Sequence, residues 1–268
     1  MITFISAFYI LKSKFSKEKY EKWFSNFLPN VKKFNLVIFC DQKSKHLLEK
    51  YTKNNDKIKL VLLEIEKFYN YKYKTDWIKN HTKNKLAEYE DWQLNMLWSE
   101  KISFVKNAYI NKYFPETEWY GWCDIGYFRG DEFGDISQQQ IKNWPNYDRI
   151  SSLSKDKIYY ALVRFNPNYL QSLYNVINDK NEFGLPRNSI PEDQWSIAGG
   201  FFLIYKNKID YWFKTFDNRL QLYFKHNYLV KDDQILIVDL IFSNKSKFEL
   251  IKEINKANPW FVFQRFLL

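Results

Sequence analysis

Phe34-Asn35-Leu36-Val37-Ile38-Phe39-Cys40-Asp41, FNLVIFCD, is the stretch on which the fold turns. A continuous apolar run with an acid at its end reads as a strand covered on both faces, the habit of parallel sheets. The flanking sequence completes the pattern. Ile2 to Leu11 reads as a strand, and Ser16 is placed to cap a helix. In that helix Tyr20, Trp23, Phe24, Phe27 and Leu28 repeat at helical spacing, and Pro29 closes it. Lys45 to Lys53 reads as a second helix and Ile58 to Ile65 as a third strand. This β-α-β-α-β opening predicts a doubly wound α/β sheet, in which ligands bind outside the carboxyl ends of the strands. No Gly-rich phosphate loop follows the first strand, so an ordinary dinucleotide fingerprint is missing.

Phe68 to Lys85 is aromatic and basic without clear period, and reads as a loop or short helices. A long helix is expected from Glu88 to Tyr113, with an apolar stripe of Leu94, Leu97, Trp98, Ile102, Val105 and Tyr109. Lys101 falls inside that stripe, where it must snorkel, pair or meet an anion. Asn95 and Ser99 lie one turn apart at its edge. The strand EWYGWCDIGYFR, Glu118 to Arg129, follows; Arg149 to Ser152 and Lys157 to Phe165 read as further strands. Pro186 to Ala198 reads as a loop leading into Gly199-Gly200, and Lys208 to His226 as a helix burying Ile209, Trp212, Phe213, Phe216, Leu220 and Tyr223. Lys231-Asp232-Asp233-Gln234 precedes the apolar run ILIVDLIF, and the aromatic end NPWFVFQRFLL is expected to pack back on the core. No internal repeat or composition-supported domain boundary is visible.

The chain has 268 residues, 46% apolar and 20% aromatic, with only seven Gly and seven Pro, which argues against a disordered or linker-rich protein. Lys and Arg number 41 against 31 Asp and Glu, a net charge of +10 that suits nucleic acid, an anionic membrane or a phosphorylated small molecule. The lysines are spread along the chain and do not cluster with aromatics into a nucleic-acid module. A solvated basic surface is the plainer reading, and no nucleic-acid partner is expected. Cys40 and Cys123, far apart, read as buried free thiols in a reducing compartment. The start lacks a basic segment ahead of its apolar run, and no stretch is long enough to span a bilayer. A cytoplasmic protein, at most peripheral at a membrane face, is the expectation. His46, His81 and His226 show no metal spacing, and no Ser-His-Asp or Cys-His arrangement is visible.

Three constellations carry chemistry. Asp124-Ile125-Gly126 puts a carboxylate at a strand end, able to ligate a divalent metal that bridges a diphosphate or merely to bond a loop. Its glycine allows close approach of a ligand or backbone. Gly199-Gly200 can lie flat against a sugar ring or simply form a bulge. Asp232-Asp233-Gln234 offers a catalytic acid or base, or a hold on a sugar hydroxyl; one of the two acids is expected to cap a helix, leaving the other to explain.

In order, LWSEKISFVKNA, WYGWCDIGYFR, IAGGFFLIYKNKIDYWF, DDQ and NPWFVFQRF, with FNLVIFCD near the start, resemble the HtrL/YibB (WlaTC/HtrL) glycosyltransferases over nearly the whole chain. The resemblance implies a GT-A-like single domain, 1–268, with a Rossmann-like, mostly parallel central sheet flanked by helices. A nucleotide-binding half would span 1–130 and an acceptor or sugar half 131–268. It implies a nucleoside diphosphate sugar donor and a glycan or glycolipid acceptor. Asp124 takes the place of the first carboxylate of the family's Asp-X-Asp motif and Gly126 replaces the second. That departure leaves two readings: a divalent cation, manganese or magnesium, on Asp124 alone, or a metal-free site neutralised by Lys101 and Arg129. By the same resemblance Asn95, Ser99 and Lys101 belong to the donor site, Gly199 and Gly200 line the sugar pocket, Asp232 and Asp233 hold an acceptor hydroxyl or the donor sugar, and Asp41 contacts the nucleoside.

The expected activity is therefore transfer of a sugar, hexosyl by resemblance, to a hydroxyl. Asp233 is the candidate base if the reaction inverts, and positions the sugar if it retains. Two rivals stand beside it: a non-catalytic module for anionic polymer or glycan, whose affinity would ignore Asp124→Ala, and a sugar-phosphate phosphohydrolase using Asp124.

Overall fold

A computed structural model describes residues 1–13, 15–130 and 135–268. Strand β1 (Ile2–Phe8) leads to helix α1 (Lys17–Phe27), β2 (Asn35–Cys40), α2 (Gln42–Thr52) and β3 (Ile58–Leu62). Ser16 caps α1 as expected, its side chain accepting from Lys19 N. β1 and β3 pair with β2 in parallel on either side, and a core covers each of its faces, so it is buried along its whole length. Two 3-10 turns, α3 (Lys74–His81) and a third 3-10 turn (Lys85–Glu88) then precede α4 (Trp92–Asn111) and β4 (Trp119–Cys123). The second half supplies α5 (Gln138–Asn143), α6 (Tyr147–Ser151), β5 (Ile158–Leu162), α7 (Pro167–Asn178), β6 (Ile197–Tyr205), α8 (Ile209–Lys225), α9 (Asp233–Ser243), β7 (Phe248–Lys252) and α10 (Val262–Phe266).

The strands of both halves form one seven-stranded sheet, ordered β3-β2-β1-β4-β6-β5-β7. Only β6 is antiparallel, pairing against β4 and β5; the other pairs are parallel. Alternate side chains feed two cores, one per face. Ile5, Val37, Phe39 and Trp122 meet α4, α8 and α9 on one side. Phe4, Phe8, Leu36 and Cys123 meet α1 and α10 on the other. The aromatic end does return to the core, with Phe263 stacked on Phe201 at 4.6 Å. Both cysteines are buried and free. No helix among the described residues is long and apolar enough to cross a membrane.

The structure corrects several sequence expectations. Arg149 to Ser152 is not a strand but part of α6, because Asn146 caps a helix there by accepting from Asp148 N and Arg149 N. β1 stops at Phe8 and β3 at Leu62, the latter giving way to a 3-10 turn over Ile65–Lys67. The glycine pair lies inside β6 rather than before it. There the β5 register jumps from Phe202, opposite Tyr160, to Ala198, opposite Ala161, so Gly199 and Gly200 sit in a bulge.

Candidate active site

β2 and β3 lie on one side of β1, and the chain then crosses from β3 to β4 on the other, which opens a crevice at the carboxyl ends of β1 and β4. A cleft open to solvent lies there. Tyr9, Tyr20, Trp23, Trp98 and Trp122 wall it, and Lys101, Asp124, Gly126 and Arg129 supply its polar surface.

Asp124 follows the last residue of β4. Its N–H extends the ladder to Gly200 O at 2.9 Å, and its own carbonyl accepts from Tyr127 N at 2.8 Å, closing a tight turn. Two residues earlier on the same strand face, Trp122 donates its indole N–H to Asp124 Oδ1 at 2.5 Å. Gly126 is pressed against Trp23: a Cβ there would stand 2.5 Å from the indole. Gln264 of α10 secures the turn from below, donating to Tyr127 O at 2.8 Å. Arg129 donates to Gly126 O at 3.0 Å and lays its guanidinium over Trp23, 4.6 Å from the ring centroid.

Lys101 reaches this floor from α4. Its ammonium lies 3.0 Å from Asp233 Oδ2 and 3.5 Å from Asp124 Oδ1, and donates to Gly199 O at 2.9 Å. The Lys101 side chain is only 9% exposed and Asp233 6%, whereas Asp124 is 40% exposed toward the cleft. Burial alone would neutralise the lysine, but the two carboxylates outweigh it and hold its pKa above the ordinary lysine value. One positive charge cannot neutralise both carboxylates. Burial, with the nearby charges of Asp232 and Asp124, lifts Asp233 to about 7 despite Lys101. The start of α9 works in the opposite sense, since a helix amino terminus favours a carboxylate.

The adjacent acids have separate tasks. Asp232 caps α9 by accepting from Gln234 N at 3.1 Å and pairs with Lys231 at 3.2 Å. Asp233 turns inward to Lys101. The glycine pair makes room for carboxylates: a Cβ on Gly199 would stand 2.8 Å from Asp233 Oδ2, and one on Gly200 3.1 Å from Asp124 Oδ2.

Of the residues singled out in the sequence, the structure brings together Lys101, Asp124, Gly126, Arg129, Gly199, Gly200 and Asp233. Gly199, Gly200 and Asp233 surround Lys101 and Asp124 beneath the cleft without lining it, and Asp232 caps α9. Three more do not line the cleft either. Asp41 caps α2, its Oδ1 accepting from Ser44 N at 2.7 Å. Asn95 donates to Val230 O at 3.2 Å and Lys231 O at 2.6 Å, fixing the segment that delivers α9. Ser99 is buried, and its carbonyl accepts from Asn70 Nδ2 at 3.0 Å. The aromatic walls escaped sequence reasoning; the spacing of two from Trp122 to Asp124, one strand face, was the available signal.

A divalent cation finds a poor donor set. Asp124 Oδ1 already faces the Trp122 N–H and the Lys101 ammonium, and Gly126 has no room for a second acid. Among the described residues no group of three or more His, Cys, Asp or Glu is placed to hold a metal ion.

No protein-family model and no curated protein matches the chain. Solved structures do. Apo mouse xyloside xylosyltransferase 1 superimposes with a TM-score of 0.52 at 10% identity, over 93% of this chain and 84% of that one. Two further structures superimpose more loosely. A glycosyltransferase involved in glycosylation of the major capsid of PBCV-1 gives 0.44 at 12% identity, over 94% of this chain and 81% of that chain. The galactosyltransferase LgtC, in complex with donor and acceptor sugar analogues, gives 0.46 at 9% identity, over 89% and 70%. The chain thus has a GT-A-like α/β fold, a single seven-stranded, mostly parallel sheet flanked by helices.

Proposed function

We propose that this chain is a nucleotide-sugar-dependent glycosyltransferase of the HtrL/YibB kind, moving a sugar onto a hydroxyl of a glycan or glycolipid. The observation that carries the reading is the buried Lys101, shared between Asp124 and Asp233 at the floor of an aromatic-walled cleft. The cleft's position between β1 and β4 is where open α/β sheets bind ligands.

Each residue then has a task. Tyr9, Tyr20, Trp23 and Trp98 offer flat apolar faces to a base or sugar ring. As the bond from the anomeric carbon to the diphosphate oxygen breaks, Lys101 and Arg129 stabilise the negative charge left on the diphosphate. The acceptor oxygen forms the new bond to that carbon. In an inverting reaction its proton passes to Asp233, whose raised pKa suits a base working near neutrality. Asp232 and Asn95 set the position of Asp233. The half spanning 1–130 would hold the donor, and 131–268 would meet the acceptor.

Thermal-shift binding with a panel of nucleoside diphosphates and their sugars tests the reading, because a ligand that binds the native state stabilises it by mass action. Stabilisation by one nucleotide, lost in Lys101→Ala or Asp124→Ala, is the expected outcome. Silence toward every nucleotide, with steeply salt-dependent binding of polyanions that Asp124→Ala leaves intact, points to a binding module. Release of inorganic phosphate from sugar phosphates points to a hydrolase.

A further inference from the structure

The donor set around Asp124 poses a question of charge. A diphosphate leaving group needs a fixed positive partner, which a divalent cation held by paired carboxylates can supply. Here the second carboxylate is Gly126, and Trp23 fills the space its side chain would need. The other acid within reach, Asp233, is buried and turned onto Lys101 at 3.0 Å. The position between the two carboxylates is taken by an ammonium that also donates to Gly199 O at 2.9 Å. A divalent ion on the remaining oxygen of Asp124 would stand close to that ammonium and be repelled by it. Arg129 adds a second fixed cation on the same cleft, held by Gly126 O at 3.0 Å.

We propose that donor binding and transfer at this site need no divalent cation: Lys101 is the site's built-in cation, and Asp124 and Asp233 serve to hold it. The proposal rests on the reading of the cleft as a nucleotide-sugar site. It separates two tasks that a carboxylate at a strand end can perform. Asp124 orients an ammonium through Oδ1, with the Trp122 N–H fixing the carboxylate's rotation. Preorganisation of this kind avoids rearranging charge when the leaving group departs.

The test has two arms. In the first, manganese binding to the protein without nucleotide is followed by the electron paramagnetic resonance signal of the free ion. The wild-type chain is expected to leave the signal unchanged. Lys101→Ala, which strips the shared cation from two facing carboxylates, is expected to acquire a site, and Lys101→Ala with Asp124→Asn to lose it again. In the second, the nucleotide panel is titrated in EDTA and in manganese. Affinity is expected to agree between the two, and Lys101→Ala to weaken it by about tenfold or more, the size of one charge-assisted hydrogen bond. Nucleotide binding that requires manganese, or a stoichiometric manganese site in the wild type, overturns the proposal while leaving the transferase reading standing. Failure of every nucleotide in both conditions overturns the reading and the proposal with it. Should Lys101→Ala not fold, Lys101→Met with Asp233→Asn removes the buried pair together. The same loss of nucleotide affinity, unrescued by manganese, is then expected, and rescue by manganese overturns the proposal.

Discussion

The Asp233 carboxylate fills the space that a side chain on Gly199 would occupy, with Oδ2 2.8 Å from where that Cβ would stand. The contact ties the bulge in β6 to the start of α9. Gly199→Ala is expected to displace Asp233 from Lys101 and to destabilise the fold by about 1–3 kcal/mol, the usual range for overpacking. Gly200→Ala, with 3.1 Å to Asp124 Oδ2 and a half-exposed neighbour that can yield, is expected to cost less. Urea midpoints, with nucleotide thermal shifts on the same variants, check the order.

Removing one member of the buried pair leaves the other uncompensated. Lys101→Met is expected to destabilise the chain by about 3–5 kcal/mol, whereas Lys101→Met with Asp233→Asn is expected to recover much of that loss. Asp124→Asn, at the open side of the cluster, is expected to have the smaller effect. A double-mutant cycle on chemical denaturation measures the coupling.

Asp233 also makes stability depend on pH. Its folded pKa is raised to about 7, chiefly by burial, while an unfolded aspartate titrates near ~4. Between those values the folded chain retains a proton that the unfolded chain has released. The stability this group contributes is therefore present in acid and lost as pH rises toward 7, then flat above it. Asp233→Asn is expected to remove that limb. Glu100, raised to about 8 by burial, adds a limb of the same sign that persists in the variant. The difference between wild-type and variant urea midpoints across this range isolates Asp233.

Glu100 has a structural task of its own. Its two oxygens accept from Tyr69 N at 2.7 Å and Asn70 N at 2.9 Å, closing the amino end of the 3-10 turn Tyr69–Tyr73. Glu100→Ala orphans two donors, one of them buried, and is expected to cost about 2–6 kcal/mol at roughly 1–3 kcal/mol per unsatisfied group. Hydrogen exchange at the Tyr69 and Asn70 amides is expected to accelerate before that of β2.

The first half of the fold was legible because its signals are local. Leu36 to Cys40, LVIFC, has the unbroken apolarity of a strand with two covered faces, and that is what β2 is. Lys101 betrayed itself as a charge in an apolar stripe. The buried face of α4 is wider than its apolar stripe suggests: Met96, Glu100 and Phe104 are also buried, because the helix packs on several neighbours at once. In α9 nearly every residue is buried, so ILIVDLIF carries no period that separates helix from strand. Asp239 within it is fully buried and paired with Lys180 and Arg219 at 3.0 and 2.9 Å, partners that nothing local announces. Arg149 to Ser152 reads as a strand in isolation, because the asparagine that caps α6, Asn146, lies three residues upstream. The duties of Asp41 and Asn95 depend on backbone groups that only the folded chain brings near them.

The antiparallel insertion of β6 has a consequence for how the protein is made. Lys101 meets the Gly199 carbonyl across 98 residues of sequence, and Asp233 arrives later still, with α9. Contacts this distant close late, since the chain must lose loop entropy before they reward it. A growing chain on the ribosome can lay down β1, β2 and β3 from neighbouring segments, yet Lys101 lacks its Asp233 partner until α9 has emerged and docked. Fragments that end before α9 therefore keep a buried lysine without its carboxylate partner, however well their first strands have formed.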